Sequence, residues 1–147
     1  MNLKNYFIIL LSLGFLSNLI QTNFYKTEVK TEKLNSSNGQ YVVYDLYKPK
    51  KANSKNKAPF IVVVPGFQRS KEALSNIAIE LSRRGHVVAL IDPYAQGMSS
   101  SSLSRRAATT EGYGMFAIID SVYNNSEYDF INKSLMGTTG HSMGGNA

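Results

Sequence analysis

No cysteine occurs among the 147 residues, which excludes disulfides, thiolate metal sites and a cysteine nucleophile. The compartment stays open, because a cysteine-free chain suits export as well as retention. Histidine is nearly absent too: His86 and His141 are the only two, so a reaction that needs an imidazole base has two candidates. Charge is missing from Asn5 to Tyr25. No low-complexity tract or internal repeat occupies the remainder. A content of 43% hydrophobic and 18% charged residues is the balance of a packed globular domain rather than of disorder.

The uncharged stretch follows Lys4 and has the core Tyr6-Phe-Ile-Ile-Leu-Leu-Ser-Leu-Gly-Phe-Leu-Ser-Asn-Leu-Ile20. About 20 such residues can span the hydrocarbon core of a bilayer. Residues 1–23 therefore read as a signal peptide or a transmembrane anchor, with 24–147 as the domain, and the membrane contact falls on residues 5–25. Cleavage wants small residues one and three positions before the cut. Phe15 stands two positions ahead of Ser17, and no Ala-x-Ala is present, which speaks for an uncleaved anchor at a cell membrane over secretion. A buried core helix would show a polar stripe, and this segment has none. Lys4 on one side and Lys26, Lys30 and Lys33 on the other leave its orientation open.

Formal net charge is +6, and much of it is local. Lys48, Lys50, Lys51, Lys55 and Lys57 crowd a polar stretch with Pro49, Asn53, Ser54 and Asn56. This reads as a solvated loop, with attraction to an anionic membrane surface as the alternative. Nucleic acid is not an expected partner, because neither interleaved aromatic platforms nor a basic groove-entering helix is visible.

Downstream of the apolar end, Phe24 to Leu34 alternates as an exposed strand, Asn35-Ser-Ser-Asn-Gly39 reads as a turn, and Gln40 to Tyr47 as a second strand. The two form an antiparallel hairpin at a sheet edge. Pro59-Phe-Ile-Val-Val-Val64 is an unbroken apolar run, as expected of a strand covered on both faces, and Pro65-Gly66 ends it. Ser70 is placed to cap a helix that carries Leu74, Ile77, Ala78 and Leu81 on one stripe and closes at Arg83-Arg84-Gly85. His86 to Ile91 reads as the next buried strand, Asp92 to Ser102 as a long loop, and Thr110 to Tyr123 as a helix with Met115, Ile118, Ile119 and Val122 inward. Lys133 to Thr139 reads as a short buried strand. This alternation demands a mostly parallel α/β sheet with right-handed crossovers.

Gly140-His141-Ser142-Met143-Gly144-Gly145 comes directly after that last strand. A serine flanked by glycines two positions away on each side fits a sharp strand-to-helix turn that exposes its hydroxyl. Gly140 and Gly144 lack the Cβ atoms that would collide in such a turn.

Three segments in order, Ile61-Val-Val-Val-Pro-Gly-Phe67, Arg84-Gly-His-Val-Val-Ala-Leu-Ile-Asp92 with Gly97-Met-Ser99, and Thr139-Gly-His-Ser-Met-Gly-Gly145, resemble the α/β-hydrolase superfamily over residues 40–147. Within it, the Pro-Gly-Phe and Gly-His-Ser-Met-Gly-Gly pieces resemble the dienelactone-hydrolase, cutinase and polyester-hydrolase branch. The resemblance implies the amino-terminal half of that fold and a serine hydrolase acting on carboxylic esters, small or polymeric, without cofactor or metal. It implies Ser142 as the nucleophile that forms an acyl-enzyme. The backbone N–H groups of Met143 and Phe67, with Gln68 as a nearby alternative, are implied as the oxyanion hole, each donor worth about 3 kcal/mol. Phe67 and Tyr94 are implied as substrate-lining aromatics, although an aromatic after a strand also serves simple packing.

In that superfamily the acid and the histidine follow the serine. Here Asp92, Asp120 and Asp129 precede it, His86 opens a buried strand, and His141 adjoins Ser142 with its side chain expected to point away from the hydroxyl. The sequence therefore reads as truncated before its triad acid and base, inactive alone, with oligomeric state open. Two other readings compete: a non-catalytic binding or scaffold protein that keeps the turn, and a peptidase or lipase on the same fold.

Overall fold

The computed structural model describes residues 2–36, 39–101 and 111–147. The turn residues Ser37 and Asn38, the loop residue Ser102 and the expected helix start at Thr110 lie outside them. Helix α1 runs Leu3–Gln21, strands β1 Thr27–Asn35, β2 Tyr41–Pro49 and β3 Ala58–Val64 follow, then α2 Ser75–Arg83, β4 Val87–Ile91, α3 Met115–Asn124 and β5 Ile131–Gly140. The five strands form one sheet in the order β1-β2-β4-β3-β5. β1 and β2 are the expected antiparallel hairpin at one edge; β2 joins β4 antiparallel, and β3 lies parallel to both β4 and β5.

Period-two geometry splits the central strands between two apolar layers. Val87, Ala89 and Ile91 of β4 pack with Phe60, Val62, Met115, Ile118 and Val122 on the α3 face. Val88 and Leu90 pack with Tyr47, Val63 and Ala78 on the α2 face. All five residues of β4 are buried, which is why the sequence there shows no polar alternation.

Three expectations are corrected. Ser70 makes no capping bond; the chain first winds a tight 3₁₀ turn, Lys71–Leu74, and α2 begins only at Ser75. The tighter turn of three residues changes the helical phase, so Leu74, Ile79 and Leu81 pack beside Ala78 while Ile77 remains 39% exposed. β5 is not buried: beyond Ile131 most of it is open, with Leu135 56% exposed, because it is the outermost strand beside β3.

α1 has no buried residue. It is long and apolar enough to cross a membrane by length and composition, a property shared by signal sequences. Asn23, Phe24 and Tyr25, all at positive φ, turn the chain from α1 into β1.

Candidate active site

The parallel strands end together at one edge of the sheet, where Val64 is in register with Gly140. Immediately past that edge Ser142 adopts φ +54°, a conformation a non-glycine residue takes only under constraint. The constraint is visible. His141 N–H donates to the Val64 carbonyl at 3.2 Å and Gly144 N–H to the His141 carbonyl at 3.0 Å, so the chain reverses from β5 into a 3₁₀ turn, Ser142–Gly145. A Cβ on Gly144 would overlap the carbonyls of Val64 and Pro65, and one on Gly140 would overlap Gly144. Glycine at both places is what allows the turn to seat on β3. Ser142 itself is exposed.

The loop after β3 comes up against this turn. A Cβ on Gly66 would lie 3.1 Å from His141 Nδ1 and 3.4 Å from the Ser142 Cβ, so the backbone before Phe67 is in contact with the serine. The Phe67 ring is 69% exposed, and Gln68 follows at φ +55°. Among the described residues neither the Phe67 N–H nor the Met143 N–H has a protein acceptor. The loop backbone at Gly66–Phe67 and the turn Ser142–Gly145 thus meet at this edge, each bringing one such N–H. Beside them an open crevice of about 460 Å³ runs between Phe67–Ser70 and Ala95–Gly97.

Asp92 holds those two loops together. Its side chain is buried; Oδ1 accepts from the Lys71 N–H at 2.7 Å and Oδ2 from the Met98 N–H at 3.0 Å. Gly97 has φ +52°, and a Cβ there would overlap the carboxylate, so the loop closes on Asp92 only with glycine. Asp92 is the capping group that Ser70 was expected to be. The sequence offered only the Asp92…Gly97 spacing as a sign of it, since the bond spans 21 residues.

Lys71 is also buried. Its Nζ lies 2.7 Å from Glu72 Oε1 and 3.6 Å from Asp45 Oδ2. Burial disfavours the ammonium, but the hydrogen bond to Glu72 and the charges of Asp45 and Asp92 outweigh it and hold the Lys71 pKa above its ordinary value. Glu72 is drawn down to about 2 by its hydrogen bonds to Lys71 and Ser70.

Tyr94 is 5% exposed and packs in the core with Val42 and Met115, the packing role open to an aromatic at this place. His86 Nδ1 lies 3.1 Å from the Leu81 carbonyl, at the start of β4. That is the edge of the sheet opposite Ser142. His141 leans on Gly66. The structure therefore gathers Ser142, Met143 and Phe67 at one edge and places Tyr94 beneath it in the core.

A family model described as PETase, PET hydrolase-like, matches residues 17–147. No curated protein matches the chain in sequence. Among solved structures, the complex of DcsB with its substrate analogue superposes with a TM-score of 0.65 at 20% identity, over 80% of this chain and 38% of that one. The Pyrococcus furiosus esterase Pf2001 gives 0.64 at 16% identity, over 84% and 45%. Est1E from Butyrivibrio proteoclasticus with ferulic acid bound gives 0.58 at 20%, over 77% and 43%. The chain thus spans less than half the length of these structures. The sheet order and the crossing helices are those of the α/β-hydrolase fold.

Proposed function

Because this chain belongs to the PETase family of PET hydrolase-like proteins, we propose that it carries the nucleophile and oxyanion hole of a serine hydrolase for carboxylic esters, attached to a membrane or exported through α1. The observation that supports this most directly is the exposed Ser142 at φ +54°, in a turn that only glycine at 140 and 144 allows and against which the loop after β3 packs through Gly66. In this reading Ser142 Oγ attacks the ester carbonyl carbon as its proton passes to a base. The carbonyl oxygen becomes an oxyanion held by the Phe67 and Met143 N–H groups. Collapse of the tetrahedral adduct expels the alcohol, which takes up the proton, and leaves an acyl group on Ser142 that water then removes.

The base in this reading is a histidine on a segment beyond residue 147, oriented by an acid on the same segment. His86 stands before β4, at the other end of a five-residue strand about 17 Å long from the Ser142 edge, and serves the Leu81 carbonyl instead. The solved hydrolases are more than twice as long as the stretch they share with this chain, which leaves room for both groups.

Reaction of the full-length gene product with a fluorophosphonate probe, followed by peptide mass mapping, tests the proposal. A stoichiometric adduct on Ser142 is expected, together with hydrolysis of soluble aryl esters that Ser142→Ala lowers by about 10⁴-fold or more. An unlabelled Ser142 in a folded, full-length protein would overturn the reading and leave the turn as part of a non-catalytic scaffold.

A further inference from the structure

The sheet edge opposite Ser142 carries a second feature, independent of the hydrolase reading. A crevice of about 730 Å³ opens there where β1 begins, β2 ends, β3 begins and α2 ends. Lys26, Lys50, Lys51, Lys57, Arg83 and Arg84 line it, and no carboxylate does. All six are exposed. Glu80 reaches the two arginines from outside, at 3.7 and 3.1 Å. Among the described residues the four lysines form no ion pair; Glu28, which is paired with Lys30 at 3.0 Å, feels Lys50 only at longer range. Six cations from three separate stretches of sequence thus meet one carboxylate, a surplus that attracts a polyanion or an anionic surface.

The position of α1 favours the surface. The helix ends at this crevice: Arg83 Nη2 donates to the Ile20 carbonyl at 3.4 Å, the Thr27 N–H to the Thr22 carbonyl at 2.8 Å, and the Lys50 N–H to the Lys26 carbonyl at 2.9 Å. Phe24 and Tyr25, at the junction, are 64% and 48% exposed, aromatic rings where a membrane-crossing helix meets its headgroups. α1 is about 28 Å long at 1.5 Å per residue, close to the thickness of a hydrocarbon core. Its end therefore delivers the basic crevice to headgroup level.

We propose that this crevice seats the phosphate groups of anionic phospholipids, so that the bilayer meets the domain where β3 and β4 begin and Ser142 faces away from it. The seven residues of β3 separate the two ends by about 20 Å. Where the hydrolase reading holds, the substrate of the Ser142 edge is then an ester met outside the bilayer rather than a lipid within it.

The test uses the full-length protein in nanodiscs of phosphatidylcholine alone, or of seven parts phosphatidylcholine to three of phosphatidylglycerol, read by amide hydrogen exchange. Exchange at residues 50–57 and 84–86 is expected to slow several-fold in the anionic discs, to recover in high salt, and to be unchanged at 66–69 and 95–97. Lys50→Glu with Lys51→Glu and Lys57→Glu should abolish the protection, whereas Lys55→Glu, in the same loop but outside the crevice, should keep it. A protein that joins the anionic discs but not the neutral ones would still support the crevice, acting without a spanning α1. Equal exchange in both discs, protection by inorganic phosphate added to neutral discs, protection at 66–69 instead, or association with neither disc would each overturn the proposal.

Discussion

Gly144 lies so close to the Val64 carbonyl that a Cβ on it would overlap the oxygen. The strand that ends beneath the serine and the turn that presents the serine are therefore one packed unit. Gly144→Ala forces either the turn off β3 or the Val64 peptide out of register. Overpacking of this kind costs about 1–3 kcal/mol, and a fall in Tm of several degrees is expected. Because the displaced turn carries Ser142, fluorophosphonate labelling should fall further than the loss of folded protein accounts for. Gly145→Ala is the control, since a Cβ there meets nothing closer than 3.6 Å and should leave both measurements near wild type.

Asp92 gives a second test. Both of its oxygens accept from backbone N–H groups, of Lys71 and Met98, in a site from which water is excluded. Asp92→Asn turns one acceptor into a donor facing a donor, at a cost of about 1–3 kcal/mol. The loops it joins carry Phe67 on one side and Gln96 on the other, so the variant should lose kcat as well as stability. Denaturant unfolding read beside ester hydrolysis separates the two losses. A variant that is destabilised but keeps the wild-type kcat would show that the clamp does not position the Phe67 loop for the proposed reaction.

The contrast between Asp92 and Ser142 shows what the sequence can disclose. The Ser142 turn is legible because the two glycines it requires stand two residues either side of the serine, at 140 and 144, even though the Val64 and Pro65 carbonyls that Gly144 must clear lie far away in sequence. β3 and β4 are legible because burial on both faces removes polar residues from a contiguous run. The Asp92 clamp joins residues 21 apart, and its only local sign is a glycine whose reason appears once the carboxylate is seen beneath it. The exposure of β5 was hidden for a related reason: Lys133–Thr139 has only Leu135 and Met136 as large apolar residues, and so short a signal does not tell a strand at the centre of a sheet from one at its border. The basic crevice was half visible. The lysine-rich stretch at 48–57 stood out, but its meeting with Lys26, Arg83 and Arg84 depends on the chain path.

Alkaline titration probes the hairpin edge. Burial raises the Tyr47 pKa to about 12, with the charges of Asp45 and Glu72 adding to it. Burial likewise pushes Tyr44 up, aided by its hydrogen bonds to Glu32 at 2.6 Å and Tyr128 at 2.9 Å. Both folded values lie above the ordinary phenol value of 10.0. Their contribution to stability is therefore complete below pH 10 and is lost as pH climbs through about 12 and beyond. Absorbance at the phenolate band should show these two lagging the exposed tyrosines and ionising together with unfolding. Tyr44→Phe and Tyr47→Phe should each shrink that late step by one residue.

Acid titration isolates the buried lysine. Glu72 has a folded value of about 2 against 4.5 for a free glutamate, so the stability it lends is present above pH 4.5 and lost as pH falls toward 2. The side chain is 66% exposed, and solvent screening keeps that contribution small. The pKa itself is the better readout. In Lys71→Met the hydrogen bond that chiefly lowers it disappears, and carboxyl NMR should find Glu72 titrating close to 4.5, with the smaller pull of Ser70 remaining. A value still near 2 would remove Lys71 from its place as the partner of Glu72.

The open face of β5 bears on handling of the 147-residue chain by itself. β5 closes one side of the sheet, and residues 137–140 are exposed along with Leu135. Among the described residues no strand pairs with the outer side of β5, and an open ten-residue edge of this kind is a template for pairing with another chain. The isolated polypeptide, held in detergent to satisfy α1, should associate in a concentration-dependent way. Leu135→Lys places a charge on that strand, the device by which natural edge strands resist pairing, and should shift sedimentation toward the monomer. If association persists unchanged in Leu135→Lys but vanishes when α1 is removed, the contact belongs to the apolar helix and β5 is not the adhesive edge.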